Sequence, residues 1–393
     1  MPTFQPFRAL RYAPGTSLDS VLAPPYDVLS PADVAALAGR DPRNIVHVDL
    51  PAGDDDRYER AADQLRSWIV EGTLVRDERP SFTIYRMRFT DEAGRQRSID
   101  GVFGALEVND PETGGALPHE RTTPKAKTDR LDLTRATRTN MSPVWGLALA
   151  RGLTDAIREP GEPVGSLVVD GVEHIVERVD DPARIAAISA AVSGDDVLIA
   201  DGHHRYAIAR VYREERHAAD GEGPNPADAT LAFVNELVAD QLSIDAIHRL
   251  YQGVSAEELE RALAASFVVS PAPAAAPALL PEMVRRGALV LVRPDGSSSW
   301  LEPKPEAFAE VRALDGAYLE HALTDCPAEV TYQHGVAEVL EVLREGGATA
   351  AVLIRPTSMA EIERTAREGL LMPPKSTFFT PKLRTGLVLR ELG

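Results

Sequence analysis

One run of ten residues, Leu198-Ile199-Ala200-Asp201-Gly202-His203-His204-Arg205-Tyr206-Ala207, concentrates more chemistry than any other stretch of this 393-residue chain. An apolar strand pattern runs into Asp-Gly, and two histidines and an arginine then open a helical pattern. That order aims backbone N–H groups and the positive end of a helix dipole at an anion. Gly202 admits a close backbone approach, Arg205 can hold phosphate oxygens bidentately, and His203 and His204 join it as phosphate ligands. Asp201 has three uses open to it: a Mg²⁺ ligand, a proton acceptor for a hydroxyl, or a plain helix N-cap. Zinc fits poorly, because adjacent histidines diverge around a helix and zinc gathers three or four converging ligands.

Other polar residues form clusters of their own. His119-Glu120-Arg121-Thr122, followed by Lys125, Lys127, Asp129 and Arg130, packs both signs of charge into a dozen residues. This suits the wall or lid of an anion site, with His119 or Glu120 accepting a proton and Lys127 and Arg130 binding phosphate. A solvated loop with casual ion pairs would have the same composition. Pro24-Pro25-Tyr26-Asp27 is a stiff turn that delivers an aromatic ring and a carboxylate. Tyr26 could stack on a base and Asp27 could touch substrate or metal, or the turn could be purely structural. Arg8 and Arg11 alternate with apolar Phe7, Ala9 and Leu10, as on an edge strand with basic side chains facing a pocket or solvent. Lys375-Ser376-Thr377 lacks the glycines of a phosphate-cradling loop, yet Lys375 could still clamp a nucleotide. Asn140 and Ser142, just before Pro143, either shape a loop end or meet substrate.

The ten-residue run resembles the Asp-Gly-His-His-Arg phosphate-binding signature of the ParB/sulfiredoxin-like fold. Members of that superfamily bind nucleotides and include partition proteins, sulfinic acid reductases and free-serine kinases. Further motifs occur in order along the chain: Pro6-Phe7-Arg8-Ala9-Leu10-Arg11, Pro24-Pro25-Tyr26-Asp27-Val28, His119-Glu120-Arg121-Thr122, Asp129-Arg130-Leu131, Asn140-Met141-Ser142-Pro143, His248-Arg249-Leu250 and Lys375-Ser376-Thr377. Together they resemble the family catalogued as domain of unknown function 1015. The resemblance implies a mixed α/β protein with a ParB/sulfiredoxin-like core over residues 1–250, in which the polar stretch 117–142 is inserted. An additional C-terminal α/β domain would span 251–393, with its last loop, 372–385, returning to the site. It further implies phosphorylation of a small hydroxylated metabolite such as serine, with ATP (or ADP or CTP) and Mg²⁺ as cofactors. His248 and Arg249 would then contact substrate, although Ser243-Ile244-Asp245-Ala246-Ile247 lacks the proline-threonine pair typical before them. Sulfinic acid reduction falls, because histidine stands where the catalytic thiol would sit. The competing class is a nucleotide-binding regulatory or switch protein without turnover.

Composition narrows the partners. Lys+Arg is 42 against Asp+Glu 60, a net charge of −18, with 44% hydrophobic and 26% charged residues. That is an ordinary globular balance, and its acidity disfavours nucleic acid, which is gripped through clustered Lys and Arg. The single Cys326 excludes an intramolecular disulfide and a cysteine-based zinc site. No stretch approaches the ~18 apolar residues of a membrane span, and Met1 to Arg8 lacks a signal-peptide core. A cytoplasmic protein is expected.

The elements that must position these residues alternate between helical and strand patterns, which favours a mixed α and β architecture. Helices are predicted over 31–38 (Ser30 as N-cap), 58–71, 184–192, 203–215, 336–345 and 359–368. Strands are predicted over 44–50, 81–89, 101–108, 144–150, 166–169, 174–179, 196–200, 230–237, 349–355 and 386–389. Asn44 and His47 would lie on the first of these strands, in a satisfied core or surface role. Residues 117–142 read as a polar loop, and 270–280 as the most linker-like segment.

Overall fold

The computed structural model describes residues 1–90, 95–110, 113–118, 125–221, 223–372 and 375–393. The chain is mixed α/β and divides into two compact units, one of residues 1–242 with 381–393 and one of residues 243–380. Where the sequence suggested a boundary near residue 250, the chain leaves the first unit after Leu242 and re-enters it at Pro381.

In the first unit, after the short strands Phe4–Gln5 and Leu10–Tyr12, helix α1 (Pro31–Arg40) is fixed by a capping box in which Ser30 and Asp33 satisfy each other's backbone N–H groups. Residues 44–50 do not form the expected strand. Asn44 is fully buried, donates to the Ser20 and Leu22 carbonyls, and accepts from Val46 N, so the chain turns into the short helix α2 (Val46–Asp49). The β-branched run favours an extended chain, but the buried Asn44 amide overrides it. His47 turns to the Ala38 carbonyl at 3.2 Å. Helix α3 (Arg57–Val70) buries Ala61, Ala62, Leu65 and Trp68 along one face. The hairpin of β1 (Phe82–Thr90) and β2 (Gln96–Glu107) follows.

Residues 125–137 form helix α4 (Lys125–Thr137) within the stretch expected to be a loop. Its inner face carries Leu131 and Leu133 but also Arg130, which is buried through ion pairs. A charged residue at a core position hides the apolar period. Then come β3 (Val144–Ala148), the hairpin of β4 (Glu162–Val169) and β5 (Val172–Val179), α5 (Pro182–Val192), β6 (Val197–Asp201), α6 (His203–Asp220) and β7 (Ala229–Glu236). These strands build a nine-stranded sheet in the order Ala116–Leu117, β6, β3, β7, β2, β1, β5, β4, with Phe4–Gln5 paired to β2. Pairing is antiparallel except for Ala116–Leu117 with β6 and β3 with β7. Phe4, Phe82, Ile84, Val102, Val144, Ile188, Val192, Val197 and Tyr206 lock the sheet to α5 and α6.

The last thirteen residues carry no strand at 386–389. Instead Leu389 bridges Leu10, Thr385 bridges Ala23, and Arg390–Glu391 pairs with Thr139–Asn140.

The second unit is a six-stranded antiparallel sheet in the order Phe267–Ala272, Ser298–Pro303, Leu289–Val292, Ala350–Leu353, Ile247–Gln252, Glu329–His334. The segment that looked like a linker lies inside this unit, as the end of strand Phe267–Ala272 and a 3₁₀ turn at Pro277–Leu279. Among the described residues no helix is long and apolar enough to cross a membrane.

Candidate active site

The site begins at the junction of β6 and α6. Against β3, the register slips between Ile199 and Asp201, a bulge at Ala200 that redirects the end of the strand. Gly202 then adopts φ +84°, ψ 29°, the left-handed region open chiefly to glycine. A Cβ there would stand 3.0 Å from Cζ and Nε of Arg205, which folds back over the turn. Helix α6 runs for eighteen residues from His203, its start free of any side-chain cap. Tyr206, whose hydroxyl accepts from Asn109 N at 2.9 Å, anchors its first turn. The strand–turn–helix geometry expected from the sequence is therefore present, and Asp201 is not an N-cap.

Asp201 is instead gripped on both oxygens. Lys382 Nζ donates to Oδ1 at 2.9 Å and Arg205 Nη2 to Oδ2 at 2.5 Å, while Arg205 Nη1 donates to the Pro143 carbonyl. Burial opposes the charge on Asp201, but the two cations outweigh it and hold the carboxyl well below the usual range. A carboxylate so held is a poor proton acceptor. Arg205 in turn is shielded from water yet kept protonated by Asp201 and Asp27.

Beside the turn lies a cavity of about 60 Å³ walled by Tyr26, Asp49, Arg130, Asn140, Ser142 and Arg205, with Tyr212 and Leu392 among its apolar side. It has room for a small polar group and a few waters. Tyr26 sits on a 3₁₀ turn after Pro24-Pro25, and the Arg130 guanidinium lies 4.4 Å from its ring centroid. Burial raises the Tyr26 phenol to about 12. Arg130 donates to the Asp49 carbonyl at 2.5 Å and to Asp129 at 2.9 Å, and Asp129 accepts from Tyr58 at 2.6 Å. Asp49 is buried, and burial raises its carboxyl above the usual range although Arg130 and Arg205 oppose this and Ser142 hydrogen-bonds it. Ser142 also lies 3.0 Å from the Thr385 hydroxyl.

The structure thus brings together Asp201, Gly202, Arg205, Tyr26, Arg130, Asn140 and Ser142, with Asp27 exposed on the same turn as Tyr26. His203 and His204 form the first turn of α6, half-buried. Asn140 turns its side-chain oxygen to Leu231 N at 3.0 Å, a structural bond. Other expectations change. Arg8 donates to the Asp77 carbonyl, and Arg11 is buried against Asp77 and Thr83, so neither lines this cavity. His248, Arg249 and Lys375 belong to the second unit: His248 is buried and accepts from Ile354 N, and Arg249 donates to the Ile247 and Lys375 carbonyls. Burial holds the His248 imidazole down to about 4. His119 and Glu120 lie outside the described residues, as does the Lys127 side chain, although residue 127 stands on α4.

Two participants were not foreseen. Asp49 was hidden in an apolar run, and Lys382 follows a proline with no local motif. Among the described residues no three His, Cys, Asp or Glu side chains converge as metal ligands, and both Asp201 oxygens are already occupied, so the side chains do not fit a dedicated Mg²⁺ cage.

The sequence matches the family model described as a protein of unknown function, DUF1015, over residues 4–317. The chain belongs to that family. No curated protein matches this DUF1015 chain. Similar solved structures include a free serine kinase in complex with AMP, at 16% identity and a TM-score of 0.40 over 75% of this chain and 94% of that one. A conserved hypothetical protein from Pyrococcus furiosus gives 13% and 0.39 over 73% and 95%. SbnI from Staphylococcus aureus, with a C-terminal truncation, gives 15% and 0.39 over 72% and 85%. These structural likenesses are distant.

Proposed function

We propose that this DUF1015 protein is a nucleotide-dependent phosphotransferase acting on a small hydroxylated metabolite such as free serine, built on a ParB/sulfiredoxin-like core. One observation carries the reading: a left-handed glycine turn at the start of an eighteen-residue helix, flanked by Lys382 and Arg205, lies beside a small cavity with one polar wall. The helix start, its dipole and the paired cations suit phosphate oxygens. The cavity suits a compact acceptor. His203 and His204 add donors at the helix start, and Lys127 is a further phosphate ligand to test.

In the proposed reaction the acceptor hydroxyl oxygen bonds to the terminal phosphorus as the bond to the nucleotide's bridging oxygen breaks. The hydroxyl proton passes to a carboxylate. Asp49 suits that role, since its raised affinity for a proton brings it closer to working pH than Asp201. Glu120 and His119 are the alternatives drawn from the sequence. Asp201 positions Arg205 and Lys382. Mg²⁺ bound with the nucleotide would supply charge neutralisation of its phosphates, with Asp201 kept for Arg205 and Lys382.

The test is direct. AMP, ADP, ATP and CTP are titrated against the pure protein, and ATP with Mg²⁺ is then incubated with and without serine, following nucleotide turnover and O-phosphoserine by mass spectrometry. Turnover stimulated by serine or another small alcohol supports the kinase. Tight binding with no turnover supports a regulatory nucleotide-binding protein. Absence of nucleotide binding overturns both.

A further inference from the structure

The family model ends at residue 317, and residues 243–380 form a separate compact unit, yet the carboxylate at the centre of the candidate site is held by Lys382. The segment that bears this lysine rejoins the first unit at Pro381 and stays with it to the end. It contributes to the site three times: Lys382 to Asp201 Oδ1, Thr385 to the Ser142 hydroxyl, and Leu392 to the cavity wall. Backbone bridges Thr385–Ala23 and Leu389–Leu10, and the ion pair of Glu391 with Arg76, fix its path.

Charge at the turn explains what this arrangement does. Asp201 alone would place a full negative charge where an anion is to bind. Arg205 neutralises it, and Lys382 then leaves the turn with one net positive charge from these three residues. The lysine side chain is only 15% exposed, so its field is weakly screened by water. An ammonium with three donors on a flexible stem can keep one proton on Asp201 and turn another to a phosphate oxygen.

We infer that Lys382 is an anion-binding residue of the candidate site, supplied by the C-terminal segment, which both positions Asp201 and sets the affinity of the Gly202 turn for phosphate groups. The inference rests on the nucleotide-binding reading above for its natural ligand but not for its probe.

The experiment compares wild type, Lys382→Met, Lys382→Arg, Asp201→Asn and the Lys382→Met/Asp201→Asn double variant. Binding of ATP and of inorganic pyrophosphate is measured by calorimetry at low and moderate salt, with melting temperature recorded alongside. Loss of a charge-assisted contact predicts about ten- to a hundred-fold weaker binding in Lys382→Met, with a shallower salt dependence. Lys382→Arg should recover most of the affinity. The loss should also persist in the Asp201→Asn background, where there is no carboxylate left to neutralise. Lys382→Met binding as tightly as wild type overturns the inference. So does a loss abolished by Asp201→Asn, which would reduce Lys382 to a structural counter-ion. Should Lys382→Met fail to fold, Lys382→Arg and Lys382→Gln carry the same comparison. Wild type that binds pyrophosphate but no nucleotide, with Lys382→Met losing it, sustains this inference and defeats the nucleotide reading. Wild type that binds neither defeats both.

Discussion

Arg130 stacks its guanidinium 4.4 Å from the Tyr26 ring while donating to the backbone carbonyl of Asp49, so one buried arginine joins a helix, a 3₁₀ turn and a cavity wall. Removing the ring should loosen all three. Tyr26→Ala is expected to lower stability by about 0.5–2 kcal/mol, the range of a partly desolvated cation–π contact, whereas Tyr26→Phe should be neutral. Urea denaturation of both variants checks this, and equal losses would show that the hydroxyl, not the ring, matters.

Asp201 offers a sharper test because two cations depend on it. Asp201→Asn keeps the shape but leaves Lys382 and Arg205 poorly compensated. Breaking a buried ion pair from one side costs about 3–5 kcal/mol, and the partial exposure of Asp201 places the expected loss toward the lower end. An unchanged melting temperature would mean that the pairs contribute nothing.

The same residue shapes the acid limb of stability. A carboxyl whose folded pKa lies below its unfolded value near 3.9 contributes stability that is present above that value and lost as pH falls through the folded one. Wild type should therefore lose stability more steeply below about pH 4 than Asp201→Asn does. Denaturant midpoints at pH 5, 4 and 3 would reveal parallel curves if this is wrong.

Each unit also buries one histidine held neutral. His174, bonded to the Tyr85 hydroxyl at 2.6 Å, and His248 are both pushed down by burial to about 4 from 6.5. Their folded pKa values are depressed, so their contribution is full above pH 6.5 and fades as pH falls toward 4. Both units should become less stable on moving from pH 7 to pH 5. His174→Phe should flatten that dependence in the first unit only, as hydrogen exchange resolved by segment would record.

Gly202→Ala tests the turn itself. A left-handed conformation costs a residue with a Cβ roughly 1–2 kcal/mol, and here the added atom also presses on Arg205, which Asp201 and Pro143 hold at both ends. Lower stability together with weaker nucleotide binding is expected. Intact binding in a destabilised Gly202→Ala protein would separate the turn's geometry from ligand recognition.

The junction of β6 and α6 was legible in the sequence because every signal there is local: an apolar run, a glycine that permits positive φ, and a helix beginning at the next residue. The capping box at Ser30 and the β1–β2 hairpin were legible for the same reason. Helix α4 was not, because Arg130 occupies a core position that only Asp49, Asp129 and Tyr26 make tolerable, and two of those partners come from elsewhere in the chain. Nor was α2, where the buried amide of Asn44 overrides a strand-like run.

Order and spacing of residues were enough for the family, the mixed α/β class and the strand–turn–helix at Asp201–Arg205. The part played by Asp201 had to wait for the folded chain, since its two partners lie 4 and 181 residues away and the farther one follows a whole intervening unit. Folding likewise makes Asp49 a candidate proton acceptor. A carboxyl's affinity for its proton is set by burial and neighbouring charge, and neither is written in the residues beside it.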